Sequence, residues 1–157
     1  MSLPAAARRV QSALEAHGLA VTIREFPTST RTAAEAAASI GCTVAQIAKS
    51  LVFRGERTGR AVLVVASGAN RVNEERLAAI VREPVGRADA AFVRERTGYA
   101  IGGVPPVAHA EPPAVIIDED LLELEEIWAA AGTPNAVFRL TPAELVSITA
   151  GRVARII

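Results

Sequence analysis

The chain has 157 residues, half of them apolar and only six aromatic, with seventeen basic and seventeen acidic side chains and zero formal net charge. That length suits one domain with a core of Ala, Val, Leu and Ile, and the neutral balance excludes a protein that coats nucleic acid through bulk charge. The single cysteine, Cys42, excludes an intramolecular disulfide or a cysteine cluster for zinc, and no apolar run approaches the ~20 residues of a membrane span.

Residues 1–9 hold no apolar signal-peptide core, so a soluble, cytoplasmic protein is expected. Residues 4–17 carry helical apolar spacing and are followed by Gly18, a good C′ residue. Residues 19–26 alternate and predict a strand, and residues 27–30 a turn. Thr32 with Glu35 has capping-box spacing and predicts a helix through the alanines to Gly41. Cys42, just past that end, reads as a buried structural thiol. Residues 47–54 and 60–66 read as a hairpin joined by Gly55-Glu-Arg-Thr-Gly59. Asn73 caps a helix through Val81, and Asp89 caps another through Arg96, closed by Gly98.

Residues 99–113 hold neither period and carry prolines and adjacent glycines, so they form a loop. A strand at 115–118 leads into a short, exposed acidic helix at 118–126. Residues 127–131 and 136–140 flank Gly132-Thr-Pro-Asn135 as a second hairpin. Thr141, with Pro142 at N1 and Glu144 at N3, begins a last helix, and residues 153–157 close as a strand. Helices interspersed with hairpins predict a single α/β domain. Its sheet is mixed and largely antiparallel, or a partial barrel, flanked by helices.

Two features point to chemistry. Lys49 is the only lysine beside sixteen arginines, inside the apolar run Val44-Ala-Gln-Ile-Ala-Lys-Ser-Leu-Val-Phe53. Thirty-two alanines suggest a GC-rich genome, in which tolerant lysines drift to arginine. A lysine retained there marks a place where a compact donor with an adjustable pKa is needed and a planar, always-charged guanidinium does not serve. The plain alternative is a stem packed on the core with its head in water. The second feature is the loop Gly98-Tyr-Ala-Ile-Gly-Gly-Val-Pro-Pro-Val-Ala-His109. Its glycines admit φ > 0 and close approach of a ligand, and its prolines stiffen N–H groups aimed at a carbonyl or an oxyanion. A tight surface turn is the alternative, and the glycine spacing fits no phosphate loop. Residues 49–96 carry a basic surplus of four and residues 112–157 an acidic surplus of four. A local basic face of that kind suits a transient nucleic-acid contact.

In order, Ile47-Ala-Lys-Ser-Leu-Val-Phe53, Ala66-Ser-Gly-Ala-Asn-Arg-Val-Asn73 and Gly98-Tyr-Ala-Ile-Gly-Gly-Val-Pro-Pro106 resemble the YbaK/prolyl-tRNA-synthetase-associated domain family. Thr32-Ala-Ala-Glu-Ala-Ala-Ala-Ser-Ile-Gly41 resembles an early helix of that family. Leu140-Thr-Pro-Ala-Glu-Leu-Val146 and Val153-Ala-Arg-Ile-Ile157 resemble its closing helix and strand. The resemblance implies a metal-independent, cofactor-free hydrolase that removes a wrong amino acid from tRNA. Its substrate would be tRNA-Pro or a related tRNA carrying Ala, Cys, Ser or Thr.

The family lysine falls on Lys49 and the glycine loop on Gly102, Gly103 and Pro106, with Pro105 an extra proline. Thr28, Ser50, Tyr99, Ile101, Val104, Pro105, Pro106 and His109 are the candidates for substrate contact. The implied partners are aminoacyl-tRNA, met transiently, and a synthetase or elongation factor, with no membrane and no DNA. Ser50 is expected on the opposite strand face from Lys49. His17 is expected at a helix end, Trp128 in the core, and Asp118, Glu119 and Asp120 at an exposed helix start. Phe92, with Tyr99, either shapes an apolar wall or packs in the core. Two rival readings are a catalytically inactive tRNA- or synthetase-binding module of the same fold, and a small-molecule-binding α/β domain.

Overall fold

Four of the five helices start where a short polar side chain takes an orphan N–H. In this computed structural model, which describes residues 3–28, 30 and 32–157, Thr32 accepts from Glu35 N to open α2 (Ala33–Ile40). Asn73 does the same for α3 (Glu74–Val81) and Asp89 for α4 (Ala90–Thr97). Thr141 and Glu144 form a reciprocal capping box at α5 (Pro142–Thr149), with donor–acceptor distances of 3.1 and 2.8 Å. α1 (Ala5–Ala16) begins after Pro4 without a side-chain cap. Of the turn expected at residues 27–30, Ser29 lies outside the described residues.

The strands are β1 (Arg24–Glu25), β2 (Ile47–Gly55), β3 (Ala61–Ser67), β4 (Val85–Arg87), β5 (Ala114–Asp118), β6 (Ile127–Ala130), β7 (Ala136–Leu140) and β8 (Arg152–Ala154). They form one open mixed sheet in the order β1-β7-β6-β2-β3-β5-β8, with β4 added beside β2. The hairpins β2–β3 and β6–β7 are antiparallel, whereas β2–β6, β3–β5 and β5–β8 are parallel. The sheet is mixed as expected, and it is open rather than a closed barrel.

β3 is buried along its whole length and serves both faces. Leu63 and Val65 pack with Val10 and Leu14 of α1 and with Ile117 and Phe138; Val62, Val64 and Ala66 pack with Leu77 and Val81 of α3 and with Ile156. A strand covered by helices on both sides reads as a continuous apolar run, as this one does.

Several local expectations shift. The strand expected at 19–26 shrinks to two residues, because Phe26 leaves the sheet to exchange hydrogen bonds with Asn135. The acidic stretch is a 3-10 turn, Glu119–Glu123. Asp118 before it is buried, accepting from Ser67 N at 3.0 Å and Asn70 Nδ2 at 2.9 Å. Cys42 and Trp128 are half-buried rather than core. β4 has no counterpart in the sequence reading. It is placed by Glu83, whose enclosed carboxylate accepts from Arg57 N (3.0 Å), Thr58 N (2.9 Å), Thr58 Oγ1 (2.8 Å) and Arg60 Nε (2.9 Å). Those donors, led by the Thr58 N–H, hold Glu83 down to about 2. Gly55 is required here, since a Cβ would lie 2.5 Å from Glu83 Oε1.

Candidate active site

β2 has two partners along one edge. Ile47 and Ala48 pair with Trp128 and Ala129 of β6, while Phe53, Arg54 and Gly55 pair with β4. Between them Lys49, Ser50, Leu51 and Val52 have β3 on one side and no strand on the other. Two cavities meet at this opening. One of about 240 Å³ is lined by Lys49, Thr30, Thr32, Trp128, Pro134 and a set of alanines. The other, of about 380 Å³, is lined by Phe53, Arg71, Glu74, Arg87 and Val93. Ser50, Leu51, Ile101, Gly102 and Val104 line both.

The glycine loop forms the facing wall. Gly102 has φ +91°, a conformation that strains any side-chain-bearing residue. At Gly103 a Cβ would lie 2.8 Å from Thr133 Cα and 3.0 Å from Gly132 O, so this loop rests backbone on backbone against the β6–β7 turn. Gly132 is in turn pressed onto α1, where a Cβ would lie 2.8 Å from Ala6 O. Thr30 grips the same turn, donating from N and Oγ1 to Pro134 O at 3.1 and 3.0 Å. The Gly103 N–H is committed to Ala100 O at 3.0 Å. The N–H groups of Gly102 and Val104 make no hydrogen bond to the described residues.

Lys49 is half-buried, opposite the small Ala66 of β3. Burial lowers its pKa below the usual lysine value; Asp118 opposes that shift and Arg71 adds to it. A partly desolvated ammonium held on a strand is a preorganised donor. Such a donor acts most strongly on charge that develops beside it.

Of the sequence candidates, Lys49, Ser50, Ile101, Gly102 and Val104 line the smaller cavity together. Gly103 supports the loop from behind. Ser50 does lie on the other strand face, yet the cavity reaches it because the sheet is open there. Thr28, exposed, lines neither cavity; Thr30 and Thr32 line the smaller one. Tyr99, Pro105, Pro106 and His109 line neither. Tyr99 is 2% exposed and donates its hydroxyl to Ala108 O at 2.9 Å, with the Arg9 guanidinium 4.9 Å from its ring centre. His109 Nε2 sits 2.6 Å from Pro105 O, which fixes the proton on that nitrogen, and burial lowers its pKa. Pro106 and His109 face a separate hollow of about 230 Å³ with His17 and Thr149. Trp128 and the alanines 33, 36, 130 and 136 line the smaller cavity, although the sequence marks none of them. Among the described residues no three His, Cys, Asp or Glu side chains cluster as a metal site, and no helix is long and apolar enough to cross a membrane.

Residues 28–148 match the aminoacyl-tRNA editing domain family. An uncharacterised Bacillus subtilis (strain 168) protein, YwhH, is 34% identical over 131 residues, 83% of each chain. A crystal structure of a proposed trans-editing enzyme for prolyl tRNA synthetase is 51% identical, covers 99% of this chain and 98% of its own, and superposes with TM-score 0.92. A scaffold protein from computational epitope backbone grafting is 48% identical, with 98% of both chains covered and TM-score 0.92.

Proposed function

Because the chain belongs to the aminoacyl-tRNA editing domain family, we propose that it is a free-standing deacylase for tRNA-Pro or a related tRNA mischarged with a small amino acid such as Ala, Cys, Ser or Thr. One observation carries this reading. Lys49, Gly102 and Val104 line one cavity of about 240 Å³, and the Gly102 and Val104 N–H groups are uncommitted among the described residues.

The reaction adds water across the ester. Water attacks the acyl carbon, the carbonyl oxygen takes the negative charge, and the bond to the terminal ribose oxygen breaks. The amino acid leaves and the ribose hydroxyl takes a proton. An aminoacyl ester is already activated, so the site needs to hold it, exclude bulk water and stabilise one oxyanion. Lys49 Nζ and the Gly102 and Val104 N–H groups are the donors for that oxygen, and hydroxyls of the terminal adenosine supply the proton path. The larger lobe, with Arg71 and Arg87, is the place for the terminal nucleotide and its phosphate. A partner synthetase or elongation factor delivers the tRNA.

Incubating the purified protein with a panel of mischarged tRNAs tests this. Release of one small amino acid well above the spontaneous rate is expected. Binding without release of any amino acid would make the chain an inactive tRNA-binding module instead.

A further inference from the structure

The opening in the sheet exposes a particular set of backbone groups, and register says which. Gly55 N–H donates to Arg60 O at 2.9 Å and Gly68 N–H to Ile47 O at 2.7 Å, so the odd residues of β2 turn their peptide groups toward β3. The even residues turn away. Consistent with this, Glu56 N–H donates in the other direction, to Pro84 O at 2.8 Å. Ala48 and Arg54 are even and lie opposite β6 and β4. Ser50 and Val52 are even and lie in the gap, so their N–H and C=O groups point into the cleft with no strand to receive them. A second observation falls on the same residue. Ser50 Oγ is enclosed and has no hydrogen-bond partner among the described residues. A buried hydroxyl left unpaired costs stability, and its persistence at the junction of two cavities calls for a partner that arrives with the ligand.

Resting on the deacylase reading above, we propose that Ser50 receives the substrate's α-amino group, its carbonyl oxygen and hydroxyl together taking the amine hydrogens. The chemistry of the cleft supports this division. Lys49 and the Gly102 and Val104 N–H groups are all donors and suit the acyl oxygen. The Ser50 carbonyl is an acceptor on the β2 side of the same small cavity, across from the glycine loop, and an α-aminoacyl ester is a small molecule with an acceptor and a donor on adjacent carbons. Near neutral pH the α-amino group is within about one unit of its own pKa of ~7.7–8.0, so an uncharged fraction is always available that avoids repulsion by Lys49. A free α-amino group thus becomes a condition of rapid turnover, and esters of other acids are poor substrates even when small enough to enter.

The test compares two esters of the same tRNA: the amino acid that the panel identifies, and its desamino counterpart, propionate where that amino acid is alanine. The second lacks the amine and adds no bulk. Each rate is divided by the spontaneous hydrolysis rate of the same ester, which removes the effect of the amine on intrinsic reactivity. The wild-type protein should favour the amino ester by about tenfold or more. Ser50→Ala should lose part of that preference by slowing the amino ester alone, since the backbone carbonyl remains. Its melting temperature should be unchanged or higher, because no internal hydrogen bond is lost. Equal normalised rates for both esters in the wild type would overturn the inference and leave the deacylase reading standing. So would a Ser50→Ala variant that melts lower and slows both esters alike, since the hydroxyl would then be structural. No turnover of either ester would overturn the deacylase reading, and this inference with it.

Discussion

Replacing Lys49 separates its chemistry from its packing. Lys49→Ala removes one charged donor held on a rigid strand, and the loss of such a donor costs about 10²–10³ in rate, or ~2.7–4 kcal/mol of barrier. Stability should hardly change: the half-buried ammonium is partly desolvated, and neither an ion pair nor a hydrogen bond ties it to the described residues. Lys49→Arg restores the charge but brings a planar fork into a cavity of about 240 Å³ walled by Leu51, Ile47 and Trp128. Arginine should therefore recover less than a tenth of the lost rate. Single-turnover deacylation of the matched mischarged tRNA reads the rate, and circular dichroism reads the fold. A pH series adds a second reading. Burial first, then Arg71, pull the Lys49 pKa below 10.5 against the opposing effect of Asp118, so activity carried by the ammonium should fall along an alkaline limb below that value. Arg71→Ala removes one lowering influence and should move the limb to higher pH. Near-wild-type rates for Lys49→Arg, or a loss under about threefold for Lys49→Ala, would refute the reasoning.

Asp118→Asn should lower stability by about 1–3 kcal/mol in urea unfolding, since the buried acceptor of Ser67 N and Asn70 Nδ2 loses its charge. The same change should move the Lys49 limb to lower pH, because Asp118 raises that pKa. Glu83, at about 2 when folded against an ordinary 4.5, contributes stability that is fully present above pH 4.5 and is lost as pH falls toward 2. Glu83→Gln should accordingly melt lower at neutral pH and show a shallower decline of Tm between pH 4.5 and 2; an unchanged slope would remove Glu83 as its cause. Gly103→Ala must displace the loop from Thr133, so kcat/KM should fall well beyond any loss of Tm, while equal losses would point to general unfolding. Deacylation should survive a strong chelator; loss of activity that zinc restores would replace the mechanism with a metal-assisted one.

Where the sequence was legible, the signal was local. Thr32, Asn73, Asp89 and Thr141 each mark a helix start through a bond to a backbone N–H three residues on. Lys49 stands out as the one lysine beside sixteen arginines and as a charge inside an apolar run. What escaped was set by distant partners. Val85–Arg87 is a strand because Glu83 anchors its approach and β2 offers an edge; nothing within those three residues says so. Asp118 carries an acidic-helix pattern but is buried, since Ser67 and Asn70, far away in sequence, supply its donors. The split edge of β2 required knowing that β6 and β4 share one side of it. The alanines of the cavity wall resemble every other alanine in the chain.

The stack running from Ala6 through Gly132 and Thr133 to Gly103 is main chain against main chain at its closest contacts. Side chains can yield by changing rotamer; stacked backbones have no such freedom. The turn behind the glycine loop is thus incompressible, and any change in the size of the smaller cavity must come from elsewhere in its lining. That lining includes four small residues, Ala33, Ala36, Ala130 and Ala136. A library randomised at both places and selected on two amino acids of different volume should return its variants from those four alanines. Survivors at 103 and 132 should all be glycine.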